Sequence, residues 1–438
     1  MKQINVGLIG FGTVGAGVVR LFEENRDVLD ARVGFPLRLR RVVDIDIDTV
    51  RTVSVDRSLL TTDARVVLDD PEISIVVELI GGLEPARRYI LEAFKNGKHV
   101  VTANKALLAH DGAAIFREAQ KTGSDVGFEA AVAGGVPILR SLREGLVANR
   151  FEKVMGILNG TCNFILSAMD RSPGEPMGRV LKQAQELGYA EADPTLDVNG
   201  TDAAHKLVLV LGLTHGIIVP LQDIYIEGIT GIDAFDVEMA KEFSYIIKLL
   251  AVIKAHGPRV EARLHPTMIP RDHPLAHVDG VFNGIYLKGD KVGELLFRGP
   301  GAGSDPTASA VVGDIVEIAR NVVHGDSGRV PPLGYPLERI HSEGIVDMQE
   351  VITNYYLRVQ AMDRPGVLSK ISGIMAEHRI SLHSVVQKGR HQAHTVPVVF
   401  LTHKAREADI QEACRHIREL DVVGGPLVLI RIEDDSLE

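Results

Sequence analysis

The chain has 438 residues, a formal net charge of −10 at pH 7 and 45% apolar residues. This length accommodates two to four domains, and the acidic balance argues against a protein that binds nucleic acid. Two cysteines, no signal-peptide pattern at the N-terminus and no apolar run long enough for a membrane span together predict a cytoplasmic protein without disulfides.

The first predicted element is a buried strand followed by a glycine turn and a helix, INVGLIGFGTVGAGVVRLFEEN. Gly10, Gly12 and Gly15 fit the G-x-G-x-x-G pattern in the strand–turn–helix context that it requires. Glycine permits the tight turn and lets the backbone approach a pyrophosphate at the helix N-terminus. The sequence therefore predicts a dinucleotide site. The same turn also supplies Phe11, Thr13 and Val14.

Alternating strands and helices follow in the segments LRLRRVVDID, SIVVELIGG, PARRYILEAFKNG and KHVVTANK. This alternation predicts an N-terminal Rossmann-type parallel sheet with helical crossovers. Ligands bind outside the carboxyl ends of the strands in such sheets. Gly81 and Lys105 follow two predicted strands, which makes both candidates for the cofactor site, and Lys105 is the candidate cation there.

The end of the second predicted strand, RRVVDIDID, bears on the choice of cofactor. An acid at this position binds the adenosine ribose of NAD, whereas an arginine accommodates the 2′-phosphate of NADP. Asp44 and Asp46 favour NAD, and Arg40 and Arg41 allow NADP. The pattern slightly favours NAD.

An acid-rich stretch, LGYAEADPTLDVNGTDAAHKL, lies between strongly apolar segments. A charge run in a loop is usually a solvated face, but apolar flanks favour side chains that line a cleft. Asp202 and Lys206 are four residues apart in a helix predicted to begin near Thr201, which places them on one helical face. Such a lysine can pass a proton, and the acids can bind an ammonium group. The acids before this helix are Glu191, Asp193 and Asp197.

Two further patterns follow towards the C-terminus. The glycine turn GPGAG, which contains Gly303, precedes a helix that is predicted to return to the nucleotide domain. After a linker rich in proline and glycine, SGRVPPLGYPLERI, the tail is predicted to be β-α-β-β-α-β, a ferredoxin-like unit. His391 and His394 of this tail have no acid or cysteine at ligand spacing, so no metal site is predicted there.

Six motifs follow one another along the chain: GFGTVG, TANK, FEAAVAGGVP, GILNGTCNFIL, LGYAEADPTLDVNGTDAAHK and GPGAG. In this order they resemble the homoserine dehydrogenase family over nearly the whole chain. The resemblance implies NAD(P)-dependent interconversion of L-homoserine and L-aspartate 4-semialdehyde in threonine, methionine and isoleucine biosynthesis. The strand, DRPG turn and apolar helix of the tail resemble an ACT domain. Such domains commonly pair with a copy of themselves and bind an amino-acid effector, for which threonine is the expected ligand, near Asp363, Pro365 and Gly366.

The resemblance also implies roles for individual residues. Lys206 matches the acid–base lysine, and Lys105 matches a second active-site lysine. The implied substrate site consists of Glu191, Asp202, Asp197, Gly160 and Thr161. The family's sodium site would use Glu129 and the backbone oxygens of Val132, Gly134 and Val136, because hard cations prefer oxygen ligands. Many family members carry an arginine where this chain has VVDID, so the choice between NAD and NADP stays open.

The expected fold class is therefore α/β and α+β, in three domains. The predicted boundaries are a Rossmann domain at 1–130 with a returning helix near 301–322, an α+β catalytic and dimerisation domain at 131–300, a linker at 323–350 and a ferredoxin-like ACT domain at 351–438. A homo-oligomer, dimer or tetramer, is expected. No kinase domain is expected before the first strand.

Two alternatives stay open at this point. One is an acyl-transferring semialdehyde dehydrogenase with Cys162 as its nucleophile, although no histidine base is clearly placed and a small buried cysteine is the simpler interpretation. The other is a catalytically inactive amino-acid sensor that uses the nucleotide only as a structural ligand. The presence of both lysines and all the matched acids argues against this second alternative.

Overall fold

The computed structural model describes residues 3–51, 53–388 and 395–436. The backbone forms two compact units, and each is assembled from three stretches of chain. The first unit comprises Met1–Glu152, Asp202–Ile224 and Phe282–Glu343, and the second comprises Lys153–Thr201, Tyr225–Val281 and Gly344–Glu438. Within the described ranges, no helix has the length and apolar character needed to cross a membrane.

The elements alternate regularly in the first part of the chain. They are β1 (Ile4–Ile9), α1 (Thr13–Glu24), α2 (Arg26–Val33), β2 (Leu37–Val43), β3 (Leu60–Thr61), α3 (Arg65–Leu68), β4 (Ile73–Glu78), α4 (Ala86–Lys95), β5 (His99–Thr102), α5 (Lys105–Thr122), β6 (Val126–Gly127), α6 (Ile138–Arg140) and β7 (Phe151–Ile157).

The middle of the chain contains α7 (Gly160–Arg171), α8 (Met177–Glu186), α9 (Thr195–Val198), α10 (Thr201–His215), β8 (Tyr225–Ile226), α11 (Ala234–Glu242), β9 (Tyr245–His256), β10 (Arg259–Pro270), β11 (Phe282–Gly289), β12 (Gly293–Pro300) and α12 (Ser304–His324). The remaining elements are β13 (Ile352–Met362), α13 (Val367–Glu377), β14 (Leu382–Gln387), β15 (Thr395–Thr402), β16 (Ala405–Arg406), α14 (Glu407–Arg418) and β17 (Val423–Ile432).

The first unit is built on a six-stranded parallel sheet in the order β3-β2-β1-β4-β5-β6. Every residue of β1 is buried, as expected for a strand covered on both faces. The direction of winding changes between β1 and β4, and a crevice opens at such a point outside the carboxyl ends of the strands. This sheet confirms the predicted Rossmann-type fold and places the glycine turn at that crevice.

Helix α12 lies against α1 of the same unit. The Ser304 hydroxyl donates a hydrogen bond to the Thr13 carbonyl oxygen over 2.9 Å, and Arg20 forms a 2.6 Å ion pair with Asp305. A Cβ atom on Gly17 would lie 2.7 Å from the Ser304 hydroxyl oxygen, so the two helices approach this closely only because residue 17 is glycine. The second glycine turn thus leads the chain back to the nucleotide-binding sheet.

The second unit contains a mixed sheet in the order β7-β9-β10-β17-β13-β15-β14. Its last four strands, together with α13 and α14, form the β-α-β-β-α-β unit, and this confirms the ferredoxin-like tail. Two buried arginines link the tail to the rest of the unit: Arg358 lies 2.7 Å from Asp236, and Arg431 lies 2.7 Å from Glu227. Burial raises the pKa of Asp236 to about 6 despite the neighbouring Arg358.

Candidate active site

The glycine turn after β1 has the shape of a dinucleotide cradle. A Cβ atom on Gly15 would overlap the Gly10 carbonyl oxygen, so the first turn of α1 packs directly on the end of the strand. A Cβ atom on Gly12, in contrast, would meet none of the described atoms within 4 Å. The space in front of Gly12 is therefore open, and a pyrophosphate can approach the backbone there. Thr13 is exposed and Val14 is half-buried on the same turn.

Asp44, directly after β2, is hydrogen-bonded to this turn. Its carboxylate accepts a hydrogen bond from the Phe11 backbone N–H over 2.6 Å. Arg51 completes the contact, since its Nε–H donates to the Phe11 carbonyl oxygen over 2.6 Å and its guanidinium lies 4.7 Å from the centre of the Phe11 ring. Arg51 was not identified from the sequence, because it lies in a loop seven residues beyond Asp44.

The two arginines that allow NADP, Arg40 and Arg41, lie inside β2 rather than at its end. Arg40 forms ion pairs with Asp70 and Glu72, both of which precede β4. Arg41 donates to the carbonyl oxygen of its neighbour Arg40 over 2.8 Å. Among the described residues, Arg51 is therefore the arginine that contacts Asp44, at 3.6 Å.

A buried carboxylate organises the neighbouring strand ends. Glu78, at the end of β4, accepts hydrogen bonds from the Thr102 hydroxyl over 2.7 Å and from the Gly81 N–H over 3.2 Å. Thr102 accepts from the Asn104 N–H, and the Asn104 side chain donates to the Gly82 carbonyl oxygen over 2.7 Å. Burial raises the pKa of the Glu78 carboxyl. This network holds the turn at Gly81 and the first residues of α5, where Lys105 begins the helix.

The first unit brings the two predicted lysines together on one carboxylate. Lys206 Nζ lies 2.7 Å from one oxygen of Asp202, and Lys105 Nζ lies 3.2 Å from the other. The α10 spacing accounts for the first contact, since residues i and i+4 share a helical face. The side chain of Lys206 is only 11% exposed, whereas that of Lys105 is 36% exposed. Two ammonium groups bound to one acid can stabilise a developing negative charge and deliver a proton.

His205 is a neighbour of this cluster that the sequence did not single out. Burial lowers the pKa of its imidazole, and the positive charges of Lys105 and Lys206 act in the same direction, while Asp202 opposes them. The imidazole is therefore disposed to be neutral near pH 7. Its position next to Lys206 was the one feature of the sequence that could have indicated His205 as a site residue. A single histidine beside a lysine is too common a pattern to predict a functional role.

The second unit gathers the other predicted substrate residues around the start of α7. The Asn159 side chain caps this helix by accepting from the Cys162 N–H over 2.8 Å and donates to the Asp197 carboxylate over 2.7 Å. The Thr161 hydroxyl donates to the Tyr189 carbonyl oxygen over 2.7 Å. A Cβ atom on Gly160 would lie 2.8 Å from the Val281 carbonyl oxygen. The helix start is therefore packed directly against the acid-rich segment.

The acids of that segment differ in their surroundings. The Asp193 carboxylate accepts hydrogen bonds from the backbone N–H and the hydroxyl of Thr195, and these bonds lower its pKa. Asp193 therefore forms a local turn. Glu191 is exposed, and its backbone carbonyl oxygen accepts from Gln185 over 3.1 Å. The Cys162 thiol is fully buried and lies 3.2 Å from the Asp197 carbonyl oxygen, which suits a packing role rather than that of an exposed nucleophile.

The predicted sodium loop lies in the first unit. The Glu129 carboxylate accepts hydrogen bonds from the backbone N–H groups of Leu139 and Arg140 over 2.8 and 2.7 Å. Burial, together with the nearby charge of Asp314, raises the pKa of Glu129 to about 7. The Val136 carbonyl oxygen accepts from the Ile138 N–H over 2.8 Å. The loop is thus buried and lined with oxygen atoms, but part of its acceptor capacity is already used within the chain.

The loop also has an unusual backbone. Ala133 and Gly134, next to Val132, both have positive φ angles of 55° and 51°. A non-glycine residue in this region stores backbone strain, which recurs at functional sites. Among the described residues, no three His, Cys, Asp or Glu side chains cluster as a metal site. His391 and His394 lie outside the described residues.

Comparison with known families matches three parts of the chain. A family model described as "Homoserine dehydrogenase, NAD binding domain" matches residues 10–129, and one described as "Homoserine dehydrogenase" matches residues 137–316. A model of the ACT domain matches residues 355–420.

Similar proteins cover the whole chain. A homoserine dehydrogenase of Neisseria gonorrhoeae is 44% identical over 433 residues, which is 99% of each protein. A crystal structure of a homoserine dehydrogenase from Thiobacillus denitrificans superposes with a TM-score of 0.92 at 46% identity, again over 99% of each chain. A Staphylococcus aureus homoserine dehydrogenase structure gives a TM-score of 0.77 at 31% identity over 99% of each chain.

Proposed function

The chain belongs to the homoserine dehydrogenase family, an NAD-binding oxidoreductase family, and on that premise we propose that it interconverts L-homoserine and L-aspartate 4-semialdehyde. The observation that carries this proposal is the contact of Lys105 and Lys206 with the single carboxylate of Asp202. An alcohol–aldehyde interconversion requires a proton donor and a charge stabiliser at the reacting oxygen, and this pair provides both.

A nicotinamide dinucleotide held at the glycine turn of Gly10, Gly12 and Gly15 would supply or accept the hydride. In the reductive direction, the Lys206 ammonium gives its proton to the carbonyl oxygen of the semialdehyde as the hydride reaches the carbonyl carbon. In the oxidative direction, the amine takes the proton back from the hydroxyl group. Lys105 stabilises the negative charge on the same oxygen, and Asp202 keeps both side chains in place. Glu191 and Asp197 are proposed to bind the substrate through its ammonium group, with Gly160 and Thr161 shaping the helix start beside them.

We propose that each domain has the function that the sequence predicts for it. Nucleotide binding is assigned to 1–130 with the helix near 301–322, catalysis to 131–300 and effector binding to 351–438. The cofactor is NAD or NADP. Asp44 favours NAD, whereas Arg51 beside it supplies a cation that a 2′-phosphate would use.

The test is direct. Purified protein is given aspartate semialdehyde with NADH or NADPH in parallel, and oxidation of the cofactor is followed by its absorbance. Oxidation of either cofactor supports the proposal. A faster rate with NADH would mean that Asp44 determines the cofactor preference, and a faster rate with NADPH would mean that Arg51 does. Well-folded protein that oxidises neither cofactor would contradict the proposal and bring the inactive sensor forward.

Replacement of Glu191 by alanine should raise the substrate KM by about tenfold or more, with kcat much less affected. The reason is the loss of a charge-assisted bond to the substrate ammonium, about 1.5–3 kcal/mol. Steady-state kinetics measures both constants. Asp193→Ala is the matched control, because that acid serves the local turn with Thr195 and should leave KM unchanged. An unaltered KM in Glu191→Ala would remove Glu191 from the substrate site.

We also propose a sodium ion bound by the 129–136 loop, through Glu129 and the carbonyl oxygens of Val132, Gly134 and Val136. The burial of the Glu129 carboxylate and the positive φ angles of Ala133 and Gly134 in this oxygen-lined loop support the ion. The melting temperature should rise as sodium chloride replaces choline chloride at constant ionic strength. Equal melting temperatures in the two salts would contradict the ion.

Threonine is the proposed effector of the ACT domain, which matches at 355–420. A ligand that binds only the folded state stabilises it by about 2.7 kcal/mol at a hundred times its Kd. L-Threonine at millimolar concentration should therefore raise the melting temperature and change activity, while D-threonine should do neither. If L-threonine alters neither quantity, the effector is another molecule.

We propose that the chain works as a homo-oligomer, a dimer or a tetramer. Family membership and the ACT domain support this, since ACT domains commonly pair with one another. Light scattering on the full-length protein should give the mass of two or four chains. The mass of a single chain would contradict it.

A further inference from the structure

The segment 327–337, which the sequence marks as a linker, encloses a cavity of about 320 Å³ in the first unit. We name it the strap cavity, and it is lined by the end of α5, by β6, by one face of α12 and by the segment itself. This volume lies at the lower end of the range for small-molecule sites. None of the residues proposed for catalysis or substrate binding lines it.

A buried arginine lines this cavity without satisfying its hydrogen-bonding capacity. The Arg143 side chain is only 10% exposed, and its Nε has no hydrogen-bond partner in the described part of the chain. Its nearest carboxylates, on Glu144 and Glu317, are 3.6 Å away, beyond normal hydrogen-bond distance. A buried guanidinium N–H without a hydrogen bond destabilises the folded protein. A ligand that accepts a hydrogen bond from it would remove this destabilisation.

The unsatisfied atoms form a local group. Arg140 Nε and Glu144 Oε1 are also buried without a hydrogen-bond partner among the described residues, and Glu144 Oε1 is the atom that lies 3.6 Å from Arg143. Of these three residues, Arg143 alone lines the strap cavity. Arg140 itself neutralises Asp314, at 3.2 Å, and Glu317. Arg143 is therefore the cation of this group that a ligand in the cavity can reach, through an Nε without a hydrogen bond and with Glu144 and Glu317 at 3.6 Å as its ionic neighbours.

The rest of the lining determines the chemistry of the ligand. The guanidinium matches a carboxylate in a bidentate geometry. Acceptor oxygens for an ammonium group are offered by Asn321 and by the Glu317 oxygen that does not pair with Arg140. The carboxylates of Asp125 and Asp314 also line the cavity. Apolar side chains complete the wall: Val126, Ile318, Val330, Pro331, Pro332 and Leu337. The combination of a cation, acceptors and an apolar wall fits a zwitterion with a hydrocarbon side chain.

We propose that the strap cavity binds a small amino acid with an apolar side chain, at a site separate from the ACT domain. The carboxylate of the ligand pairs with Arg143, and its ammonium group faces Glu317. The segment 327–337 also contacts α10, the helix that carries Lys206. Leu333 packs on α10, 3.4 Å from the Cβ position of Gly212, and the Tyr335 hydroxyl donates to the Thr214 carbonyl oxygen over 3.0 Å.

Titration calorimetry with L-leucine on the full-length protein tests the proposal. Leucine should bind the wild type, whereas isoamylamine, which lacks the carboxylate, and 4-methylpentanoate, which lacks the ammonium group, should bind at least about tenfold more weakly. Absence of leucine binding to the wild type at millimolar concentration overturns the proposal, and so does equal binding of the amine.

Two variants locate the ligand. Arg143→Gln should weaken leucine binding at least about tenfold, and Val330→Trp should abolish it by filling the cavity while Arg143 stays in place. Arg329→Gln removes a nearby arginine that is 58% exposed and should bind as the wild type does. If Arg143→Gln fails to fold, as judged by circular dichroism, Val330→Trp alone decides. Unchanged leucine binding in Val330→Trp places the ligand elsewhere and overturns the proposal.

Discussion

Replacement of Lys206 by methionine should lower kcat by about 10²- to 10⁴-fold, the contribution usual for a positioned proton donor. Methionine keeps the apolar stem that packs in this buried position but removes the ammonium group that contacts Asp202 at 2.7 Å. The Kd of the cofactor should change little, because the glycine turn and Asp44 remain intact. Steady-state kinetics together with fluorescence titration of bound NADH or NADPH separates the two effects.

The same unit offers a matched control. Lys98 is also buried, but it lies at the amino end of β5, whereas the active site lies at the carboxyl ends of the strands. Its ammonium group donates to the Asp70 and Ile73 carbonyl oxygens. Lys98→Met should lower the melting temperature and leave kcat per folded molecule near that of the wild type. A Lys206→Met variant with the turnover of the wild type would exclude Lys206 as the proton donor.

Replacement of Gly12 by alanine should weaken cofactor binding by about ten- to a hundredfold without lowering the melting temperature. Its φ of −75° is acceptable for alanine, and the added Cβ would meet none of the described atoms within 4 Å. The methyl group would instead occupy the space through which the pyrophosphate reaches the backbone. Titration with the cofactor and thermal denaturation of the free protein measure the two quantities.

Gly15→Ala is the contrasting variant in the same turn. Its Cβ would overlap the Gly10 carbonyl oxygen, so the end of β1 and the start of α1 must move apart even without a ligand. We expect this variant to lose both stability and cofactor binding. Equal cofactor affinity in Gly12→Ala and the wild type would mean that the pyrophosphate does not approach the turn at Gly12.

Much of the architecture follows from local patterns in the sequence. The strand, glycine turn and helix at the N-terminus predict a parallel nucleotide-binding sheet, because a nearly continuous apolar run is typical of a strand that is covered on both faces, and every residue of β1 is buried. The alternation of apolar segments in the tail predicts its ferredoxin-like fold in the same way. The four-residue spacing of Asp202 and Lys206 predicts their contact, since a helix brings residues i and i+4 onto one face.

Contacts between distant segments were decided only by the tertiary structure. Lys105 reaches Asp202 across 97 positions of the sequence, and Glu78 organises the strand ends through Thr102. The sequence did not single out Arg51 or Arg143, because an arginine in a loop or on a helix is usually solvated. Their environments depend on which segments fold over them. Hydrophobic periodicity records which face of an element is buried, whereas the partners of a polar side chain depend on the packing of elements that the chain brings together from far apart.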